Sequence, residues 1–359
     1  MMKRPSALGS LRAGLLIVAL SAGVPVTAEA GALPGSVSAA EWQSYRSQFV
    51  RENGSVVDDA NGGVSHSESA GYGMLLAFLA DDSASFERIW SFTRDELLIR
   101  DDGLAAWRWD PNSKPHVTDV NDASDGDILI AYALGLAGKG WGEARFTLAG
   151  QKLAKAIDSA LVRRVGRRTI LLPGVKGFTV ADRADGTTVV NLSYWIFEAI
   201  PMLAELSPSD DWAALRKSGI ELVAAARFGP ARLPSDWLAL GADGSVKPAA
   251  GFEPAFGYNA IRIPLYLLRG GIEDRSLLSA FAVNWTGGKA PGVVATASGR
   301  TSATLADPGY QMLSASLACA LDRTPIPEDL RQFSPTVYYP STLHLLGLSF
   351  VAWKHPECL

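Results

Sequence analysis

Cysteine and histidine are both scarce in this sequence. Among its 359 residues there are two cysteines, Cys319 and Cys358, and four histidines. Structural metal sites take their ligands mainly from Cys and His pairs at short spacings, and the histidines show no such pairing. The sequence therefore predicts no metal ion and no other cofactor. If the chain is exported, the two cysteines either form a disulfide or remain two buried thiols.

An excess of basic residues is also missing. The chain has 33 Lys and Arg against 37 Asp and Glu, which gives a formal net charge of −4 at pH 7. Proteins that bind nucleic acid neutralise phosphates with clustered Lys and Arg, and no basic stripe or arginine-rich segment occurs here. Nucleic acid is therefore not expected as a partner, and an uncharged ligand fits better.

No apolar run approaches the ~20 residues needed to span a bilayer. The run Ala13 to Leu20 is short, follows three basic residues and precedes the small-residue sequence Ala28-Glu29-Ala30. This order is typical of a secretory signal peptide. We therefore predict a signal peptide over residues 1–30 and a periplasmic or secreted protein with no stable membrane insertion after its removal.

Apolar residues at helical spacing dominate the remainder. The composition is 48% hydrophobic and 19% charged, which is enough to bury one large core in a single domain over residues 31–359. Periodicity predicts about a dozen helices, most in antiparallel pairs, and among them are helices over residues 145–162, 191–206, 210–227 and 341–353. Extended segments are predicted near residues 168–178 and 180–190. The predicted fold is all-α, a toroid of helical hairpins with a small amount of β structure in the loops.

One predicted helix begins with two carboxylates. Ser124, Asp125 and Asp127 stand at the start of an apolar run from Ile128 to Ala137. Ser and Asp at a helix start often serve only as caps and as partners of the helix dipole. The pattern alone therefore favours capping.

Aromatic residues upstream add a second interpretation. Trp107 and Trp109 precede this helix, and Glu68 opens an earlier helical pattern in a similar setting. A cleft that cleaves sugars needs aromatic rings to stack on the sugar faces and carboxyl groups to transfer protons. The two helix starts are therefore candidates for one such cleft.

These segments resemble the motifs of glycoside hydrolase family 8. Matching stretches cover most of the predicted mature chain, namely Ser67-Glu68-Ser69-Ala70-Gly71-Tyr72-Gly73-Met74, Trp107-Arg108-Trp109, Ala123-Ser124-Asp125-Gly126-Asp127, Leu172-Pro173-Gly174, Asn191-Leu192-Ser193-Tyr194, Ser235-Asp236-Trp237, Tyr258-Asn259-Ala260-Ile261-Arg262 and Tyr338-Tyr339. The resemblance implies an (α/α)6 barrel with a long open cleft and inverting hydrolysis of β-1,4-linked glucan. It is greatest to endoglucanases that accompany bacterial cellulose synthesis.

The resemblance also assigns roles to the two acids. It makes Glu68 the general acid, and a partly buried setting would favour the protonated carboxyl that this role needs. It places Asp125 in the catalytic centre, where its carboxylate holds hydroxyls of the sugar at the cleavage point. The alternative for Glu68 is a capping box with Ser65, and Asp127 is predicted to cap its helix.

Several aromatic residues are candidate platforms for sugar rings. They are Trp107, Trp109, Tyr194, Trp237, Tyr338 and Tyr339. Each could instead belong to the core or the cleft wall, and we expect Trp107, Trp109 and Tyr194 to lie in the cleft.

One position departs from the family pattern. The family has Asp as its general base where this chain has Asn259, although Tyr258 and Ala260 to Arg262 match. An amide orients water but does not accept a proton as a carboxylate does, so a base from another loop is needed. Arg262 is expected to organise Asn259 or a nearby carboxylate. Candidates for the base by chain position are Glu253, Asp182, Asp185 and Asp122.

Three functions follow from these observations. The first is an endo-β-1,4-glucanase with a relocated base, with a β-1,4-glucan as substrate and a functional link to a cellulose synthase complex. The second is a hydrolase of xylan or chitosan, and the acidic cluster of Asp119, Asp122, Asp125 and Asp127 would suit cationic chitosan. The third is a weakly active glucan-binding protein in which Asn259 marks lost catalysis.

Overall fold

The computed structural model describes residues 34–285 and 291–359, so the predicted signal peptide lies outside the described residues. Within these ranges the chain is mainly helical, with short strands between the helices. The helices are α1 (Ala39–Phe49), α2 (Ser67–Leu79), α3 (Ser83–Phe92), α4 (Ser124–Gly140), α5 (Ala144–Leu161), α6 (Ile200–Leu206), α7 (Asp211–Ala225), α8 (Ile263–Arg269), α9 (Arg275–Trp285), α10 (Pro308–Asp322), α11 (Glu328–Arg331) and α12 (Tyr338–Lys354).

Three of these helices are buried on nearly every side. All residues of α2 except Glu68 are buried, as are residues 124–138 of α4 and most of α12. A helix that is apolar all round belongs inside a larger core. Amphipathic helices such as α3 and α5 pack outside them, with α2 against α4 and α4 against α5. The core therefore lies between an inner and an outer set of helices.

The two ends of the described chain pack together. The Oγ atoms of Ser36 and Ser349 lie 2.8 Å apart, and the hydroxyl of Tyr45 lies 2.9 Å from Oγ1 of Thr342. Helix α1 is thereby held against α12.

Eleven short strands occur in the described part of the chain. They are β1 (Val57–Asp58), β2 (Val64–His66), β3 (Arg108–Trp109), β4 (Val162–Val165), β5 (Arg168–Leu171), β6 (Thr188–Val190), β7 (Leu238–Leu240), β8 (Val246–Pro248), β9 (Ala255–Phe256), β10 (Gly292–Ala295) and β11 (Thr301–Thr304). All pairings are antiparallel, in the orders β1-β2-β3, β4-β5, β6-β7-β8 and β11-β10-β9. Several of them lead directly into site residues, since β2 precedes Glu68 and β9 precedes Asn259.

The predicted all-α class with a little β structure is confirmed, and the extended segments are shorter than predicted. The strand predicted over 168–178 ends at Leu171, where Leu172 is followed by Pro173, which cannot donate to a sheet. The helix predicted over 191–206 is interrupted. Asn191 accepts hydrogen bonds from the backbone N–H and hydroxyl of Ser193, at 3.0 and 2.7 Å, which stabilises a local turn instead.

The two cysteines are paired. Cys319 of α10 and Cys358 in the turn after α12 form a disulfide with their Cα atoms 6.1 Å apart. The disulfide alternative is therefore the one observed. No helix in residues 34–285 or 291–359 has the length and hydropathy of a bilayer span.

Candidate active site

The first turns of α2 and α4 meet at Gly126. A Cβ atom at this position would lie 2.1 Å from Oγ of Ser67 and 2.7 Å from the backbone nitrogen of Glu68. Only glycine permits so close an approach. The contact brings Glu68 and Asp125, each in the first turn of its helix, to the same place.

Arg262 links the two acids. Its Nη1 atom contacts Oε1 of Glu68, and its Nη2 atom donates to Oδ2 of Asp125 at 2.8 Å. The guanidinium is buried at the end of a short 3-10 turn, Ala260–Arg262. One guanidinium therefore positions both carboxyl groups, and Arg262 organises carboxylates as predicted.

Asp125 is nearly inaccessible to solvent. Its exposed fraction is 3%, and Oδ1 accepts a hydrogen bond from the backbone of Gly126 at 2.9 Å. Burial disfavours the ionised carboxylate and raises the pKa of Asp125 to about 7. A carboxyl group poised in this way can both donate and accept hydrogen bonds to sugar hydroxyls.

The capping alternative for Glu68 and the capping role predicted for Asp127 are both wrong. His66 caps α2, since its Nδ1 atom accepts from the backbone of Ser69 at 3.0 Å, so Ser65 and Glu68 do not form a capping box. Asp127 is buried and accepts from the backbone N–H of Ala105 at 2.8 Å instead of capping α4. Burial also raises the pKa of Asp127. Glu68 is therefore left to face the cleft.

A cleft of about 910 Å³ contains both acids. Its aromatic lining includes the predicted residues Trp107 and Tyr194, together with Tyr258, Tyr310 and Tyr339. Tyr258 is 53% exposed, and its backbone oxygen accepts a hydrogen bond from the hydroxyl of Tyr339 at 2.7 Å. These rings give the cleft apolar surfaces on which sugar rings can stack.

The family of the chain follows from its similarity to known proteins. The model of the glycosyl hydrolases family 8 matches residues 12–352. The chain belongs to glycosyl hydrolase family 8. Members of this family cleave glycosidic bonds, and the chain is a glycoside hydrolase.

Alignments with individual family members cover most of the chain. A probable endoglucanase from Novacetimonas hansenii is 37% identical over 302 residues, which is 82% of this chain and 87% of that protein. The structure of an endo-β-1,4-glucanase from Acetobacter xylinum is 35% identical with a TM-score of 0.80, and the match covers 89% of this chain and 99% of the other. A family 8 endoglucanase from Klebsiella pneumoniae is 32% identical with a TM-score of 0.78, over 86% and 97% of the two chains.

Two residues predicted to bind sugar are buried in this family 8 protein. Trp109 is 8% exposed, does not line the cleft, and its indole donates to Oε2 of Glu96 at 2.9 Å. Tyr338 touches the cleft boundary but is 0% exposed, because its ring packs against Phe49 and His66. Both side chains support the wall behind the cleft.

Trp237 lies beside Tyr194 outside the described cleft lining. Its ring stacks between Phe178 and Phe252, with centroids 5.8 and 4.6 Å away, and meets Tyr194 edge-on at 6.1 Å. It is partly exposed. The stack therefore extends the aromatic surface beyond the two acids.

Asn259 lines the cleft, as its place in the family pattern predicts. None of the four carboxylates that were candidates for the base does so. They are Glu253, Asp182, Asp185 and Asp122. Glu253 is exposed, and the other three accept hydrogen bonds from loop backbone N–H groups.

Asp236 is a site residue that sequence reasoning missed. It accepts hydrogen bonds from the backbone of Gly257 and Ala260, both at 2.8 Å, and these two residues flank Asn259 in the chain. Its motif was visible in the sequence, but its proximity to Asn259 depends on the pairing of distant loops. Asp58 and Asp307 are further carboxylates of the cleft that no motif indicated.

A metal centre is not formed by the described residues. In residues 34–285 and 291–359, no three His, Cys, Asp or Glu side chains converge as the ligands of an ion would.

Proposed function

We propose that this glycoside hydrolase is an endo-β-1,4-glucanase that cleaves internal bonds with inversion. The observation that carries the proposal is the shared contact of Arg262 with Glu68 and Asp125 inside a cleft lined with aromatic rings. The family members with similar sequences are named endoglucanases. An (α/α)6 barrel, which fits the inner and outer sets of helices, is part of the same proposal.

Glu68 is the general acid in this mechanism. It protonates the leaving glycosidic oxygen while a water molecule attacks the anomeric carbon from the opposite face. Oε1 of Glu68 contacts Arg262 in this structure. Glu68 must therefore exchange this contact for the glycosidic oxygen when substrate enters.

Asp125 holds the sugar at the cleavage point. Its buried carboxyl group is fixed by Arg262 and Gly126, so it costs little reorganisation to bind a sugar hydroxyl. Hydrogen bonds that strengthen as the ring distorts lower the barrier more than they strengthen ground-state binding. Asp125 accordingly contributes to kcat.

The acidic residues that were predicted to favour chitosan do not come together in the cleft. Of the four acidic residues that could favour chitosan, only Asp125 lines the cleft. Asp119 accepts a hydrogen bond from the indole of Trp107, whereas Asp122 and Asp127 are buried elsewhere. The acidic cluster that would suit cationic chitosan is therefore not assembled in the cleft as the sequence predicted.

The place of action is also proposed. The predicted signal peptide and the disulfide support export to the periplasm or the medium. The resemblance to endoglucanases of cellulose synthesis supports a functional link to a cellulose synthase complex. Deleting the gene in its host and measuring the yield and fibre order of secreted glucan would test that link.

The activity is tested on four polymers in parallel. Purified protein is incubated with carboxymethylcellulose, barley β-glucan, xylan and chitosan, and new reducing ends are measured. We expect turnover on the two glucans and its loss in Glu68→Gln, with retained binding of cellohexaose. Proton NMR of the first product should show the α-anomer. Glucan turnover that survives Glu68→Gln would reject Glu68 as the acid, and preferred turnover of xylan or chitosan would reject the substrate.

A further inference from the structure

Asp236 is held beneath the turn that carries Asn259. Its backbone N–H donates to the carbonyl of Ala255 at 2.8 Å, and its Oδ1 atom accepts from the backbone N–H groups of Gly257 and Ala260. Two hydrogen bonds hold the carboxylate and one holds the backbone, so the side chain has little freedom. It is therefore a preorganised group and not a mobile surface acid.

The amide of Asn259 lies between this carboxylate and the cleft. Asn259 lines the cleft, whereas Asp236 does not, and the side chain of Asn259 lies beside the Asp236 carboxylate and stabilises its ionised form. An amide donates through Nδ2 and accepts through Oδ1. When Nδ2 points to Asp236, Oδ1 is the atom left for a water molecule in the cleft.

We propose that Asp236 is the final acceptor of the proton lost by the attacking water, and that Asn259 relays this proton. The proposal rests on the proposed hydrolytic function. It explains how a chain with an amide at the family position of the base can still activate water. Asp236 acts through Asn259 and does not itself touch the substrate.

The relay balances in atoms and charge. One O–H bond of water breaks and one forms at Oδ1 of Asn259, while an N–H bond at Nδ2 breaks and an O–H bond forms on Asp236. The water oxygen bonds to the anomeric carbon, the glycosidic bond breaks, and Glu68 protonates the leaving oxygen. Asp236 then returns its proton to Nδ2, and Oδ1 releases its proton to solvent.

The surroundings of Asp236 support this role. Burial raises the pKa of Asp236 above that of an ordinary aspartate, which makes the carboxylate a stronger base. Tyr194 and Tyr339 lie close enough to Asp236 for their hydroxyl groups to interact with its charge. Both tyrosines have a pKa raised by burial and stay neutral at the working pH.

Exchanging the two side chains tests the relay. Asp236→Asn keeps an oxygen that accepts hydrogen bonds from the backbone of Gly257 and Ala260, but it removes the carboxylate that takes up the proton. We therefore expect kcat to fall by about 10²–10⁴-fold with little change in KM. The double variant Asp236→Asn, Asn259→Asp places the carboxylate directly at the water. It should recover kcat to within about tenfold of wild type. The acidic limb of the kcat pH profile should vanish in the single variant and return in the double one.

A matched control and a second variant complete the experiment. Asp243→Asn makes the same change in an exposed turn, where Oδ1 accepts from Ser245 at 3.0 Å, and should leave kcat unchanged. Asn259→Ala, which leaves Asp236 and its backbone partners intact, should lose about as much kcat as Asp236→Asn. It carries the test if Asp236→Asn does not fold.

The outcomes separate this proposal from the proposed function. If wild type is active and the kcat of Asp236→Asn stays within about threefold of it, the relay is overturned while the glucanase function stands. A folded double variant that is as inactive as the single variant has the same consequence. Wild-type protein that binds cellohexaose but cleaves none of the polymers would overturn both.

Discussion

At the residue scale, two tryptophans separated by one residue have different surroundings. Trp107 is partly exposed in the cleft and donates its indole N–H to Asp119 at 2.9 Å. Trp109 is buried in the core, where its ring packs edge-on against Phe92 and its indole N–H donates a hydrogen bond to Glu96. The sequence could predict an aromatic pair near the site. It could not predict which ring is buried, because that depends on Glu96 and Phe92 from a different part of the chain.

Alanine substitutions should separate the two roles. Trp107→Ala should weaken cellohexaose binding by about tenfold, since it removes one stacking surface, with little change in melting temperature. Trp109→Ala should lower the free energy of unfolding by about 3–5 kcal/mol through the cavity it leaves. Isothermal calorimetry and denaturant titration measure the two effects. Equal binding losses without a stability difference would show that Trp109 also contacts sugar.

Asp125 makes stability depend on pH. Its pKa is about 7 in the folded chain and near 3.9 in an unfolded one, so between these values the folded state holds a proton that the unfolded state has lost. Its contribution to the free energy of unfolding is therefore fully present below about pH 4 and falls as pH rises to about 7. Denaturant titrations at several pH values should show part of this fall in wild type and a shallower one in Asp125→Asn. Identical pH slopes would contradict the raised pKa.

At the element scale, the helices were predicted more accurately than the loops. The predicted patterns for α5, α7 and α12 agree with the observed helices to within about three residues, because amphipathic or continuous apolar spacing is a local property. The loop carrying Asp236 and the turn carrying Asn259 meet through long-range pairing of backbone groups. No local pattern records that contact.

The contact of α2 with α4 should be sensitive to one methyl group. Gly126→Ala would place Cβ against Ser67 and the backbone of Glu68, which would force the two helix starts apart and separate Glu68 from Asp125. We expect kcat to fall at least about tenfold, because small displacements of catalytic groups are costly. The melting temperature should fall as well.

Gly150→Ala in α5 is the matched control for this helix contact. Its Cβ would meet neighbours no closer than 3.2 Å, the nearest being the end of the Leu206 side chain. Activity should be retained. An active Gly126→Ala protein with unchanged stability would show that the two helix starts have room to move.

At the scale of the whole molecule, the disulfide fastens the last described turn to α10. Cys319 and Cys358 are 39 residues apart, and closing a loop of this length stabilises a fold by about 3–4 kcal/mol in the chain-entropy account. Replacing both cysteines by serine should lower the melting temperature by several degrees, measured by calorimetry, while kcat at 25 °C changes little. An unchanged melting temperature would mean that the loop is already fixed by packing.

The contact between α1 and α12 has a consequence for biosynthesis. Tyr339, on the last long helix, forms part of the cleft wall, and Glu68 comes from the second helix. While the ribosome is still making the chain, the acids exist without a complete wall around them. A polypeptide that ends before α12 therefore carries Glu68 and Asp125 but lacks the part of the cleft wall that Tyr339 forms.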